Sequence, residues 1–158
     1  LTRKNDAPLD FDFDKVLEQS RDNPVYYVQY ASARIHSVFR KADEAGITFD
    51  KKLAMNEQFE TVTHEAEIKI AKKLAEWPRL VEIAAKTNEP HRIAFYLYEL
   101  AGDFHSLWNK GNEISELRFI QEDNHRASCI KMAMISAVLV VISSGLDILG
   151  VEPTTHMN

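Results

Sequence analysis

Ten residues punctuate this 158-residue chain, five glycines and five prolines, and nearly all stand where a helix would begin or end. Pro24 follows Asn23, an N-cap residue ahead of the favoured first helical position. Pro78 and Pro90 can each open a helix or break a preceding one. Pro8 and Pro153 lie near the two ends. Gly46, Gly111 and Gly150 each follow a long apolar-periodic run and fit C-terminal caps. No Asn-Gly or Asp-Gly hairpin signal occurs anywhere. The pattern predicts an all-α fold, a helical bundle with helices over Phe13 to Ser20, Pro24 to Ala45, Thr63 to Glu76, Pro78 to Lys86, Pro90 to Asn109 and Asn124 to Leu149.

Between the breaks, apolar residues recur at helical spacing. Val28, Ala31, Ile35, Val38, Phe39 and Ala42 make one stripe. Ile68, Ala71, Leu74 and Ala75 make another, and Phe95, Leu97, Leu100, Ala101, Phe104 and Trp108 a broad third. The last helix is apolar almost all round, which places it at the bundle centre, although its Val138 to Ile142 run has β character. Its charge-free stretch, Met132 to Leu146, is closed by Lys131 and Asp147 at 15 residues. A membrane span needs about 20, so a buried core helix is expected and no membrane partner. Residues 1 to 22 read differently from the rest, polar, with Asp6, Asp10, Asp12 and Asp14 close together. A start at Leu1 with no initiator Met suggests a piece of something longer.

Net charge is -5, from 19 basic against 24 acidic side chains. A domain that held polyanions by bulk charge would run basic, so a nucleic-acid role has to come from local placement. One cysteine, Cys129, excludes an internal disulfide and a Cys-rich zinc site, and a cytoplasmic setting is expected. Catalytic and metal patterns are missing as well. His64-Glu65 opens like a zincin helix, but Ile68 stands where the second His should be. Asp10, Asp12 and Asp14 lack the Gly and distal Glu of a calcium loop and read better as helix caps. Asp103, His105 and Ser106 crowd one turn, too close in sequence for a triad. There is no phosphate loop and no nucleophile elbow.

What remains is a face of the second predicted helix. At 100° per residue, Tyr27, Tyr30, Arg34 and Lys41 share a stripe beside the apolar one. Phenol rings stack on unstacked bases, and a guanidinium stacks or hydrogen-bonds a base edge or phosphate. The same spacing also describes a solvated face, with tyrosines over core edges and Arg34 paired to a carboxylate. Spacing alone favours that plainer alternative.

The string Asn23-Pro24-Val25-Tyr26-Tyr27-Val28-Gln29-Tyr30-Ala31-Ser32-Ala33-Arg34 resembles the helix that joins the catalytic core to the anticodon-binding domain of arginyl-tRNA synthetases. Further matches follow in order: Tyr96-Leu97 and Phe104-His105-Ser106-Leu107-Trp108 within His91 to Gly111, then Arg126 to Gly150, Val151-Glu152-Pro153 and Met157. The resemblance covers the whole chain and implies the DALR-type helical bundle of a class I aminoacyl-tRNA synthetase. It implies that residues 1–22 end the catalytic portion and that 23–158 form the anticodon-binding domain. By resemblance, Tyr27, Tyr30 and Arg34 meet the anticodon loop, Phe104 and Trp108 supply a second aromatic surface, and Met157 closes the base pocket. Ser32 departs from a frequent family His, His156 from a frequent Arg, and Asn158 extends past the usual end. The two ATP-binding signatures of the family are absent. The resemblance therefore implies that ATP and Mg serve the parent enzyme, an arginine–tRNA ligase, while this part holds no cofactor and does not aminoacylate. The implied partners are the anticodon loop of arginine tRNA and the parent's own catalytic domain, with no DNA. A helical protein-interaction module without RNA binding is the alternative. A third reading, the corresponding domain of a cysteine or methionine enzyme, is opposed by Gln29-Tyr30-Ala31-x-Ala33-Arg34.

Overall fold

A computed structural model describes residue 20, residues 22–49 and residues 62–157. The predicted helix over Phe13 to Ser20, apart from Ser20 itself, the aspartate cluster and most of the first predicted domain lie outside the described residues, as does Asn158. Four α-helices make up the rest: α1 Pro24–Glu44, α2 Glu65–Thr87, α3 His91–Glu113 and α4 His125–Ile148, with a 3₁₀ turn at Ser115–Leu117 between the last two. The described residues contain no strand. The Val138 to Ile142 run is helical because Val138 and Ile142 fill the core, at 0% exposure each; packing overrides the local β preference.

The caps carry out much of what the punctuation predicts. Asn23 accepts hydrogen bonds from the Val25 and Tyr26 amides, and Asn124 accepts one from the Ala127 amide. Gly46 and Gly150 adopt φ of +69° and +71°, the left-handed region that ends a helix at low cost for glycine. His64 is a cap as well: its Nδ1 accepts from the Ala66 amide at 3.1 Å, which accounts for the His-Glu pair without a metal.

Two breaks do not occur. α2 runs unbroken through Pro78. Trp77, Leu80 and Ala84 pack on the same core as Ile70 and Leu74, so burial on both sides of the proline holds the helix together. Pro78 itself is exposed, where water can take up the carbonyl it leaves unpaired. The apolar face of α2 is accordingly Ile70, Leu74, Trp77, Leu80 and Ala84, whereas Ile68, Ala71 and Ala75 of the predicted stripe are exposed. Gly111 also does not end its helix; α3 continues to Glu113. The returning 3₁₀ segment passes so close that a Cβ on Gly111 would stand 3.3 Å from the Leu117 carbonyl oxygen. Close approach, rather than termination, explains this glycine.

Helix α3 touches every other helix, and α4 does too, while α1 and α2 lie on opposite sides of that pair. Leu97, Leu100, Phe104 and Leu107 of α3 and Ile135, Val138 and Ile142 of α4 are all 0–1% exposed. By length and composition α4 could cross a membrane, but most of its apolar window, 61%, is buried in the bundle. Phe95, predicted on the core side of α3, is 48% exposed.

Candidate nucleic-acid interface

Helix α1 sets the geometry of the site. Its buried stripe of Val28, Ala31, Ile35 and Val38 faces α3 and α4, so the residues beside that stripe stand at the rim of the α1–α3 seam. Tyr30, Ala33, Arg34, Ser37 and Arg40 come from α1, Trp108 from α3, and His156 and Met157 from the tail; together they line one cleft of about 350 Å³. The tail is tied back along α1 by Gln29, whose side-chain amide donates to the Glu152 carbonyl at 3.0 Å, and by Arg40, which donates to the Thr155 carbonyl. Those bonds place Met157 at the cleft although it follows the last helix.

Arg34 stands at the centre. Its guanidinium carbon lies 4.3 Å from the Tyr30 ring centroid and 5.0 Å from that of Trp108. Nη2 donates to the Tyr30 hydroxyl at 2.9 Å, and Nη1 is 3.2 Å from Nδ1 of His105. No described carboxylate pairs with it. A guanidinium has five N–H donors, so several are left for a ligand after these contacts. Trp108 is braced from behind by Phe104 and Phe119, at centroid distances of 6.2 and 6.1 Å.

The structure therefore brings Tyr30, Arg34, Trp108 and Met157 to one place and separates the other two candidates from them. Phe104 is 0% exposed; it stacks on Phe119 at 5.8 Å and supports Trp108 from within the core. A helix turn between Phe104 and Trp108 puts them on one side of α3 but at different depths, which spacing cannot show. Tyr27 packs on Tyr98 and His105 and lines a second cleft with Asn109, Lys110 and Glu113, on the other side of His105. Ser32 is fully buried, its hydroxyl without a hydrogen-bond partner among the described residues, and it is not among those that line the cleft. Lys41 is nearby but lines a smaller cleft of about 170 Å³ on the far side of Trp108, together with Arg118.

Arg40, His105 and His156 complete the site and were not singled out as candidates by spacing. Arg40 lies seven residues after Ala33, close to two helical turns, and three after Ser37, so these three share one side of α1. The charge is locally one-sided. Among the described residues, neither cleft beside Trp108 is lined by Asp or Glu, although the chain is net acidic. His36, next to them, is held below its ordinary value of 6.5, first by burial and then by the charges of Arg40 and His156. Paired carboxylates sit on the α2 side of α3 instead, such as Asp103 with Lys69 at 2.6 Å and Glu99 with Lys73. Among the described residues no group of three or more His, Cys, Asp or Glu side chains could hold a metal ion.

Residues 28–157 match the DALR anticodon binding domain. Over 157 residues the chain is 66% identical to an arginine–tRNA ligase of Ruegeria pomeroyi and 61% identical to one of Jannaschia sp.. Each alignment takes in 99% of this chain and about a quarter of the relative, 27% and 26%. A crystal structure from Campylobacter jejuni, of a protein named as an arginyl-tRNA synthetase, superposes with a TM-score of 0.80 at 25% identity, covering 99% of this chain and 31% of that one.

Proposed function

The chain belongs to the DALR anticodon binding domain family, and on that premise we propose that it reads the anticodon loop of arginine tRNA as part of an arginine–tRNA ligase. One observation carries the reading. Tyr30, Arg34, Trp108 and Met157, from three separate parts of the chain, converge on a cleft whose charged groups, among the described residues, are all basic. An aromatic face offers stacking to any base, and the remaining N–H groups of Arg34 offer an edge to acceptors on one. Tyr30 and Trp108 flank the guanidinium, and a base displaced from the loop takes its place against this set with Met157 over it. Tyr27 and Lys41 then face the loop on either side, and Phe104 acts only through Trp108.

Arginine activation, with ATP and Mg, belongs to the remainder of such a ligase, as does contact with the rest of the tRNA. That division suits a cytoplasmic enzyme whose loop-reading part is acidic overall. A protein-interaction module gives no reason for basic groups to gather around a half-buried tryptophan and a tail methionine. The test is a nuclear magnetic resonance titration of the chain with a synthetic anticodon stem-loop of arginine tRNA. The expected result is shifts at Tyr30, Arg34, Trp108 and Met157 that a stem-loop with a changed central anticodon base does not reproduce. Equal shifts with both loops, or shifts confined to other faces, would refute the reading.

A further inference from the structure

His105 is 6% exposed and sits between Arg34 and the backbone of α1. Its two ring nitrogens meet partners of opposite kind. Nη1 of Arg34, at 3.2 Å from Nδ1, can only donate, because a guanidinium has no acceptor. The Tyr27 carbonyl oxygen, at 3.4 Å from Nε2, can only accept. Both contacts are satisfied together by one form of the ring, neutral and protonated at Nε2. The imidazole packs on the Tyr27 and Tyr30 rings at 4.6 and 5.4 Å, which fixes its plane. We propose that His105 is a positioning residue for base recognition: its Nδ1 lone pair holds the Arg34 guanidinium in one orientation between Tyr30 and Trp108.

The consequence is specific to hydrogen-bond geometry. A guanidinium reads a base edge through a planar fork, so its value depends on the angle at which the fork is held. The Tyr30 hydroxyl fixes one nitrogen and His105 the other. With both in place the plane is set; with one, the group pivots about the remaining bond. His105 touches no base in this scheme and acts through Arg34.

The proposal rests on the base-reading role of the cleft, and the test separates the two. Asn at position 105 keeps an acceptor close to the place of Nδ1; Gln keeps a group near Nε2 and loses that acceptor. Binding of the anticodon stem-loop is measured for the chain, His105→Asn, His105→Gln, Arg34→Ala and the Gln/Ala double variant, with melting curves for each. The expected pattern is near wild-type affinity for Asn, a loss of about fivefold to tenfold for Gln, and no further loss when Gln is added to Arg34→Ala. A Gln loss that persists in full without Arg34 overturns the proposal and assigns His105 to the scaffold. Unchanged binding by both variants overturns it too, while leaving the cleft reading intact. Failure of the unaltered chain to prefer its own loop sinks the cleft reading, and the recognition role of His105 with it. Nitrogen resonances of the ring give a readout without RNA: Nδ1 is unprotonated and its resonance moves in Arg34→Ala, and a protonated Nδ1 rules out the hold on Arg34.

Discussion

Arg34 is held by two hydrogen bonds and two aromatic faces and by no carboxylate among the described residues, so truncating it removes a cation that the surroundings were built to accept. Arg34→Ala is expected to relax discrimination at the central anticodon base, read as a smaller ratio of affinities between matched and changed stem-loops. Of the six residues proposed for RNA contact, four meet at one cleft. Their legibility came from a shared motif more than from physics, because spacing specifies direction around a helix and says nothing of depth. Trp108 and Phe104 show the difference: equal spacing, one at the surface and one sealed beneath Phe119. His105 was hidden for the same reason, since a partner 71 residues away cannot be read from one helix. His36 carries a further expectation. Its folded pKa lies below 6.5, so the unfolded chain binds a proton first as pH falls. Stability from this group is complete above about 6.5 and declines as pH drops through the window beneath it. A phosphate beside Arg40 favours the protonated ring, so RNA affinity moves the opposite way and rises on acidification. His36→Gln should flatten both trends, as followed by melting temperature and by titration between pH 7.5 and 5.5.

At the scale of elements, helix order was legible from periodicity but helix number was not, since the two helices expected on either side of Pro78 are one, α2; that break and the one at Gly111 are both cases where packing overrides a local signal. Neither the core behind Trp77 nor the chain returning over Gly111 is visible in a window of sequence. Two couplings between helices make predictions. Lys131 of α4 and Glu67 of α2 form an ion pair at 5% and 2% exposure. Replacing Lys131 by Met strands a buried carboxylate and should cost about 3–5 kcal/mol in denaturant unfolding. Adding Glu67→Leu should recover most of that loss, since a pair exchanged for apolar groups is close to neutral. Gly145 lies against α3 so closely that a Cβ there would be 2.7 Å from a Leu97 methyl carbon. Gly145→Ala therefore gains helix propensity but forces Leu97 out of place in a filled core. A net loss of about 1–3 kcal/mol is expected, and Leu97→Ala in the same background should relieve the clash without restoring wild-type stability.

The whole molecule is acidic, yet Arg34, Arg40 and His156 meet at one aromatic cleft, while Asp103 and Glu99, each paired with a lysine, stand on the α2 side of α3. Few phosphates can be neutralised by such a surface. Binding of the loop by the chain alone should thus be weak, above micromolar at physiological salt, with a shallow dependence of log K on log salt, a slope of about -2 for three single-strand contacts. The chain should also give only background arginine-dependent pyrophosphate exchange, with or without added tRNA. The central claim, that this cleft reads the loop for a ligase, is tested most directly in a full-length arginine–tRNA ligase carrying this chain. Aminoacylation by Tyr30→Ala is compared with wild type, alongside helicity and melting temperature. Loss of one stacked base is worth about 1–3 kcal/mol. The account predicts a fall in kcat/KM for tRNA of about 5- to 150-fold, with KM for arginine unchanged. A folded variant that charges arginine tRNA at the wild-type rate would contradict it and leave the stripe of α1 as a solvated helix face.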